Sequence, residues 1–124
     1  MVSFPGMRNH HILVVEDEIL IALELSDELN DAGARVIGPA MSVAAALRLI
    51  EKEKPSAAIV DVWLGSETSL PVAKSLVAAG VPFILHTGHF TAGLPSDWPL
   101  APIVKKPSTR STLFSALATV LKPK

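Results

Sequence analysis

Short apolar runs and amphipathic stretches alternate along most of this chain. Residues 11–15 (HILVV) form an apolar run rich in β-branched side chains, the pattern of a strand buried on both faces. The run stops at Glu16, Asp17 and Glu18. A helix is predicted over residues 18–32, where Ala22, Leu25, Leu29 and Ala32 share one face and Gly33 follows as the terminating glycine. A second strand is predicted over 35–38, closed by Gly38-Pro39. Ser42 suits the N-cap of a helix over 43–54, with Pro55 just beyond it. Residues 57–62 (AAIVDV) read as a third strand, and 65–70 as a loop. Pro71 fits the first turn of a helix reaching Ala79, and Gly80 ends it. A fourth strand is predicted over 83–86 and a weaker fifth over 102–105. Ser108 or Thr109 then opens a last helix to about Leu121.

Strands that alternate with helices at this spacing imply βαβ units and a parallel sheet covered on both faces. The expected fold is α/β, a doubly wound five-stranded parallel sheet in the order 2-1-3-4-5. The rhythm breaks between Gly88 and Ala101. That stretch holds Gly88, Gly93, Pro95 and Pro99 where a fourth helix is due, with Pro102 just after it. Proline removes a backbone donor and clashes inside a helix. The fourth helix is therefore expected to be short or replaced by a loop.

Composition narrows the classes. The chain has 124 residues, the size of one domain, divided here into a short tail over 1–10 and a folded domain over 11–122. A formal charge of -1 gives no basic footprint for nucleic acid. Cysteine is absent, which removes disulfides and thiolate sites. No run approaches the roughly 18 apolar residues of a membrane span. The first ten residues lack the apolar core of a signal peptide. The expectation is a soluble cytoplasmic domain with no nucleic-acid or membrane partner.

Ligands of open parallel sheets sit at the carboxyl ends of the strands, beside the switch in strand order. Glu16 and Asp17 follow the first strand, Asp61 ends the third, Thr87 ends the fourth and Lys106 follows the fifth. Each has an ordinary reading alone: an acidic first helical turn, a capping aspartate, a locally bonded threonine, a surface lysine. In this order the topology brings all of them to one edge. Clustered carboxylates repel, and a divalent cation relieves the repulsion. Mg²⁺ suits such oxygen donors and contacts substrate phosphate. Asp61 has the chemistry of a carboxylate nucleophile toward phosphorus, with Lys106 and Thr87 placed to stabilise the remaining charge.

The segments HILVVEDE and AAIVDVWLG, with Thr87-Gly88 and Lys106-Pro107, resemble the receiver domains of bacterial two-component response regulators, from about His11 to Leu121. The resemblance implies a flavodoxin-like fold with Asp61 as phosphoacceptor. It implies Mg²⁺ held by Asp17 directly, by Glu16 through water, by Asp61 and by the Trp63 backbone carbonyl. Thr87 becomes the switch hydroxyl and Lys106, not Lys105, the phosphate-pairing lysine, before a cis proline bond. The implied function is a stand-alone phosphoacceptor module of a phosphorelay, taking a phosphoryl group from a sensor histidine kinase or a histidine phosphotransfer protein. The resemblance implies a signalling module with self-phosphorylation and self-dephosphorylation chemistry, not a turnover enzyme. It would act on a downstream protein partner as a monomer or weak homodimer.

Two departures stand out. Many receivers carry an aromatic residue three before the lysine, and Ile103 stands there. Both this and the proline-rich stretch resemble an alphaproteobacterial subgroup with a Phe-Ala-Thr-Gly-x-Tyr signature. The chain keeps Thr87, Gly88 and an aromatic at Phe90, but has Leu85 and His86 at the first two places. Ordering of the 88–101 loop by His89 and Phe90 is the switch expected in place of an aromatic rotation. Ile19, Leu20 and Leu23 lie off the inward stripe of the first helix, as ordinary exposed residues or as a docking patch. His10, His11, His86 and His89 lack metal-ligand spacing. Three alternatives fit less well. An interaction-only receiver would not need the full acid, threonine and lysine set. A hydrolase of the aspartyl-phosphate type would have an acid where Trp63 stands. A flavodoxin would have a phosphate-cradling loop after the first strand.

Overall fold

The structure, a computed structural model, describes residues 7–88 and 98–121. The main sheet has five parallel strands: β1 (His11–Val15), β2 (Arg35–Ala40), β3 (Ala57–Val60), β6 (Phe83–Thr87) and β7 (Ile103–Lys105). Their order is β2-β1-β3-β6-β7, the doubly wound order expected from the sequence. Among the described residues four helices flank it: α1 (Ile19–Asp31), α2 (Val43–Glu53), α3 (Leu70–Ala78) and α4 (Arg110–Val120).

Side chains alternate across the pleat, and this divides the core in two. Leu13, Val15, Ala58, Val60, Phe83 and Leu85 pack with Ala46 and Ile50 of α2 and Val72 and Leu76 of α3. Ile12, Val14, Ala57, Ile59 and Ile84 face the other way, onto Leu25 and Leu29 of α1 and Leu113, Phe114 and Leu117 of α4. Central strands buried on both faces must be apolar throughout, so HILVV and AAIV carry no polar alternation. Ser42 caps α2 by accepting from the Ala45 N–H at 3.2 Å. Thr109, rather than Ser108, caps α4 by accepting from the Thr112 N–H at 3.1 Å.

Three segments differ from the sequence reading. β2 does not stop at Gly38 but runs to Ala40. Leu13 pairs with Ile37 and Val15 with Ala40, so β2 carries one extra residue there, a β-bulge. β3 ends at Val60, and the chain then forms a hairpin of β4 (Trp63–Leu64), just past the expected strand, and β5 (Glu67–Thr68), inside what read as loop. Within the 1–10 segment, Met7 is fully buried against the α1/α4 core, and the Asn9 N–H donates to the Gly33 carbonyl at 3.0 Å. The described part of that segment is packed, not free. Residues 89–97, with His89 and Phe90, lie outside the described residues. Residues 98–102 carry no helix, and Trp98 is buried in the α2/α3 core.

Candidate functional site

β1 and β3 lie side by side at the centre of the sheet, while the chain leaves them toward opposite edges. Their carboxyl ends deliver the acids. Glu16 follows β1 and is held by its own main-chain N–H, which donates to the Ala40 carbonyl at 2.9 Å across the bulge. The Asp61 N–H donates to the Val15 carbonyl at 3.0 Å. Glu16 is 1% and Asp61 4% exposed, while Asp17 is half-buried. One oxygen from each of Glu16, Asp17 and Asp61 lies within 4.8 Å of the others.

The Lys106 ammonium bridges this cluster. Its Nζ donates to Glu16 Oε1 at 2.5 Å and to Asp61 Oδ2 at 2.8 Å, with 11% of the side chain exposed. The Lys106 main-chain N–H donates to the Thr87 carbonyl at 2.9 Å, and the Lys106-Pro107 bond is cis. Lys105 is exposed on β7. The side chain that reaches the acids is therefore the one directly before the proline. Thr87, at the end of β6, is fully buried.

The hairpin closes the site from the other side. The Trp63 N–H donates to Asp61 Oδ1 at 3.3 Å, and the Gly65 N–H donates to Asp17 Oδ2 at 2.6 Å. The Ser69 hydroxyl donates to the Asp61 carbonyl at 2.6 Å. Sequence reasoning missed Gly65, Ser69 and the hairpin. The Gly65-Ser66 pair was a legible turn signal. That its N–H meets Asp17 follows only from the fold.

His86 takes no part in the acid cluster. It sits on the α1/α4 face, 5% exposed, with Nε2 hydrogen-bonded to Ser108 Oγ at 3.0 Å. Glu16, Asp17 and Asp61 are the group of metal-ligating residue types found among the described residues, and no histidine joins it. Ile103, in the place of the expected aromatic, is exposed on edge strand β7. Ile19, Leu20 and Leu23 are exposed on α1, Leu20 by 79%.

Glu16 and His86 titrate in opposite senses. Burial pushes Glu16 up to about 7, although the Lys106 bond and the Glu18 N–H pull it down. Burial lowers His86 to about 4, helped by the Lys106 charge. Lys106 itself is raised: its bonds to Asp61 and Glu16 outweigh the opposing effect of burial. The folded chain thus keeps a proton on Glu16 that the unfolded chain loses above its ordinary 4.5. That stability is full below 4.5 and is lost as pH rises through 7. His86 is neutral when folded, so its stability is full above 6.5 and is lost as pH falls through 4. The two slopes oppose each other over their common window. Relative to wild type, metal-free Glu16→Gln should gain stability as pH rises from 4.5 to 6.5, and His86→Gln should lose it. Each difference should build steadily across that window. Urea unfolding in a chelating buffer checks this, and slopes parallel to wild type would refute the assignment.

Three clustered acids, a buried threonine and a bridging lysine on the carboxyl edge of a doubly wound sheet define a receiver domain. The chain belongs to the response-regulator receiver domains, with PhyR-like receivers among its neighbours. The receiver domain of the response regulator PhyR from Erythrobacter litoralis superposes with a TM-score of 0.82 at 26% identity, over 96% of this chain and 98% of that one. SdrG from Sphingomonas melonis Fr1 superposes with a TM-score of 0.78 at 38% identity, over 93% of this chain and 97% of that one. The transcriptional regulatory protein PdtaR of Mycobacterium tuberculosis is 30% identical over 67 residues, 54% of this chain and 33% of that protein. The chain thus spans about a third of the length of the curated relatives it matches. No protein-family model matches it. Its kinship is that of response-regulator signalling domains. Among the described residues no helix is long and apolar enough to cross a membrane.

Proposed function

We propose that Asp61 accepts a phosphoryl group from a phosphohistidine on a sensor histidine kinase or a histidine phosphotransfer protein, and that the domain passes the signal to a protein partner. The Lys106 ammonium lying between Glu16 and Asp61, with Asp17 alongside, carries this reading. An Asp61 oxygen attacks phosphorus, the phosphorus–nitrogen bond breaks, and the leaving imidazole takes up a proton. Lys106 Nζ already lies 2.8 Å from Asp61, so oxygens of a phosphoryl group on Asp61 come within its reach. The Thr87 hydroxyl donates to another of them.

The donor set fits Mg²⁺: hard carboxylate oxygens, clustered, beside a group that takes phosphate. Asp17, Asp61 and the Trp63 carbonyl would hold the ion, with Glu16 acting through water. Bound there, it supplies charge neutralisation for the phosphoryl oxygens. The phosphoryl group adds about −1.5 to −2 of charge. Lys106 would then leave Glu16 for the new oxygens, and Thr87 would follow. Burial and partner charges thus change together at the ends of β6 and β7.

Incubation with acetyl phosphate and Mg²⁺, followed by intact mass measurement, tests the reading. The mass should rise by one phosphoryl group, and a chelator should prevent the rise. No rise in either condition would leave an interaction-only receiver.

A further inference from the structure

Ser69 stands immediately before α3, at a position where serine ordinarily accepts a hydrogen bond from the first-turn N–H groups. It makes no such side-chain bond. Pro71, in that first turn, has no N–H to offer. The hydroxyl turns instead to the Asp61 carbonyl at 2.6 Å, and the Ser69 N–H donates to the Val62 carbonyl at 2.8 Å. The helix is still tied to this residue by the Ala73 N–H on the Ser69 carbonyl at 3.0 Å. Ser69 is fully buried, so water cannot replace the bond its hydroxyl makes.

One residue therefore closes the excursion from Asp61 through the β4–β5 hairpin on two successive carbonyls. Both carboxylates that face the hairpin depend on where it sits. The Trp63 N–H meets Asp61 Oδ1, and the Gly65 N–H meets Asp17 Oδ2. Orienting the Asp61 carbonyl also fixes the peptide plane between Asp61 and Val62, and so the direction from which the chain enters the hairpin.

We propose that Ser69 is a positioning residue for the acceptor: its hydroxyl fixes the main chain of Asp61 and the base of the β4–β5 hairpin, and thereby the geometry in which Asp61 and Asp17 meet a cation and a phosphoryl donor. The inference rests on the reading of Asp61 given above.

Ser69→Ala and Ser69→Cys test it in the full chain, at a temperature where both are folded. Cysteine nearly preserves the volume and offers only a weak donor. The readouts are the phosphorylation rate at saturating acetyl phosphate and Mg²⁺, and Mg²⁺ affinity by calorimetry. Removing a supporting hydrogen bond of this kind typically costs about tenfold or more in metal affinity or activity. Ser69→Ala should lose about tenfold in both readouts, with Ser69→Cys between it and wild type. If Ser69→Ala does not fold, Ser69→Cys alone should show a several-fold loss. Lowered thermal midpoints with wild-type rate and affinity would overturn the proposal, since that is what a merely structural serine gives. Wild type that takes no phosphoryl group would defeat the reading of Asp61. Wild type that reacts normally alongside equally fast variants would defeat the role of Ser69 alone.

Discussion

Asp61→Asn should take up no phosphoryl group from acetyl phosphate and Mg²⁺, in the assay where wild type gains one. The change is nearly isosteric, but the amide offers one oxygen where the carboxylate offered two, so either the Trp63 N–H at 3.3 Å or the Lys106 ammonium at 2.8 Å keeps its acceptor. What disappears is the anionic nucleophile. An amide has no comparable lone pair to offer phosphorus, and the metal loses one carboxylate. The loss should therefore be complete within detection, not partial. The folded state should respond differently. Wild type gathers three carboxylates within 4.8 Å and offsets them with Lys106. Above pH 7, where Glu16 is ionised as well, removing one relieves repulsion and leaves the Lys106–Glu16 pair in place. At such a pH the metal-free thermal midpoint should therefore hold or rise while acceptor activity vanishes, as a mutation acting through chemistry alone requires. Intact mass and a thermal scan on one preparation check both. A phosphoryl group retained on Asp61→Asn would move the acceptor to another residue.

The strands and the site edge were legible because both follow from simple rules. ILVV of β1 and AAIV of β3 are buried on both faces, so each reads as an uninterrupted apolar run. Glu16, Asp17, Asp61, Thr87 and Lys106 each stand where such a run stops, and the doubly wound order brings those stops together. The less legible parts depend on where backbone groups point. Ser69 precedes Leu70-Pro71 and looked like loop; nothing local says that its hydroxyl turns from α3 to Asp61. Met7 sits in a polar, proline-containing stretch, yet is buried in the core that α1 and α4 share. Trp63 and Thr68 pair across a turn too short to show alternation. The ordering of the 88–101 loop through Phe90 concerns residues outside those described.

Gly38 is where the sequence reading and the structure part most usefully. Gly38-Pro39 looks like the end of a strand, since proline cannot donate to a ladder. Instead β2 bulges there and resumes, so that Ala40 pairs with Val15 and its carbonyl receives the Glu16 N–H at 2.9 Å. The bulge thus sets the backbone of a site residue from the neighbouring strand. It requires φ of +94° at Gly38, a conformation that costs other residues dearly. A Cβ there would lie 2.7 Å from the Ala40 nitrogen and 3.1 Å from the Val14 carbonyl oxygen. Both are backbone atoms within the sheet, and neither can swing aside as a side chain would. Strained backbone of this kind costs about 1–3 kcal/mol by itself, and displacing the ladder adds to it. Gly38→Ala should therefore lose roughly 3 kcal/mol or more of stability, a drop of about 10 °C in the thermal midpoint for a domain of this size. Where the variant still folds, relief of the clash must move Ala40, and with it the Glu16 main chain. Mg²⁺ affinity measured by calorimetry on the folded fraction should then fall as well. Wild-type stability in Gly38→Ala would mean that β2 reaches Ala40 without the bulge, and that Glu16 is placed by β1 alone.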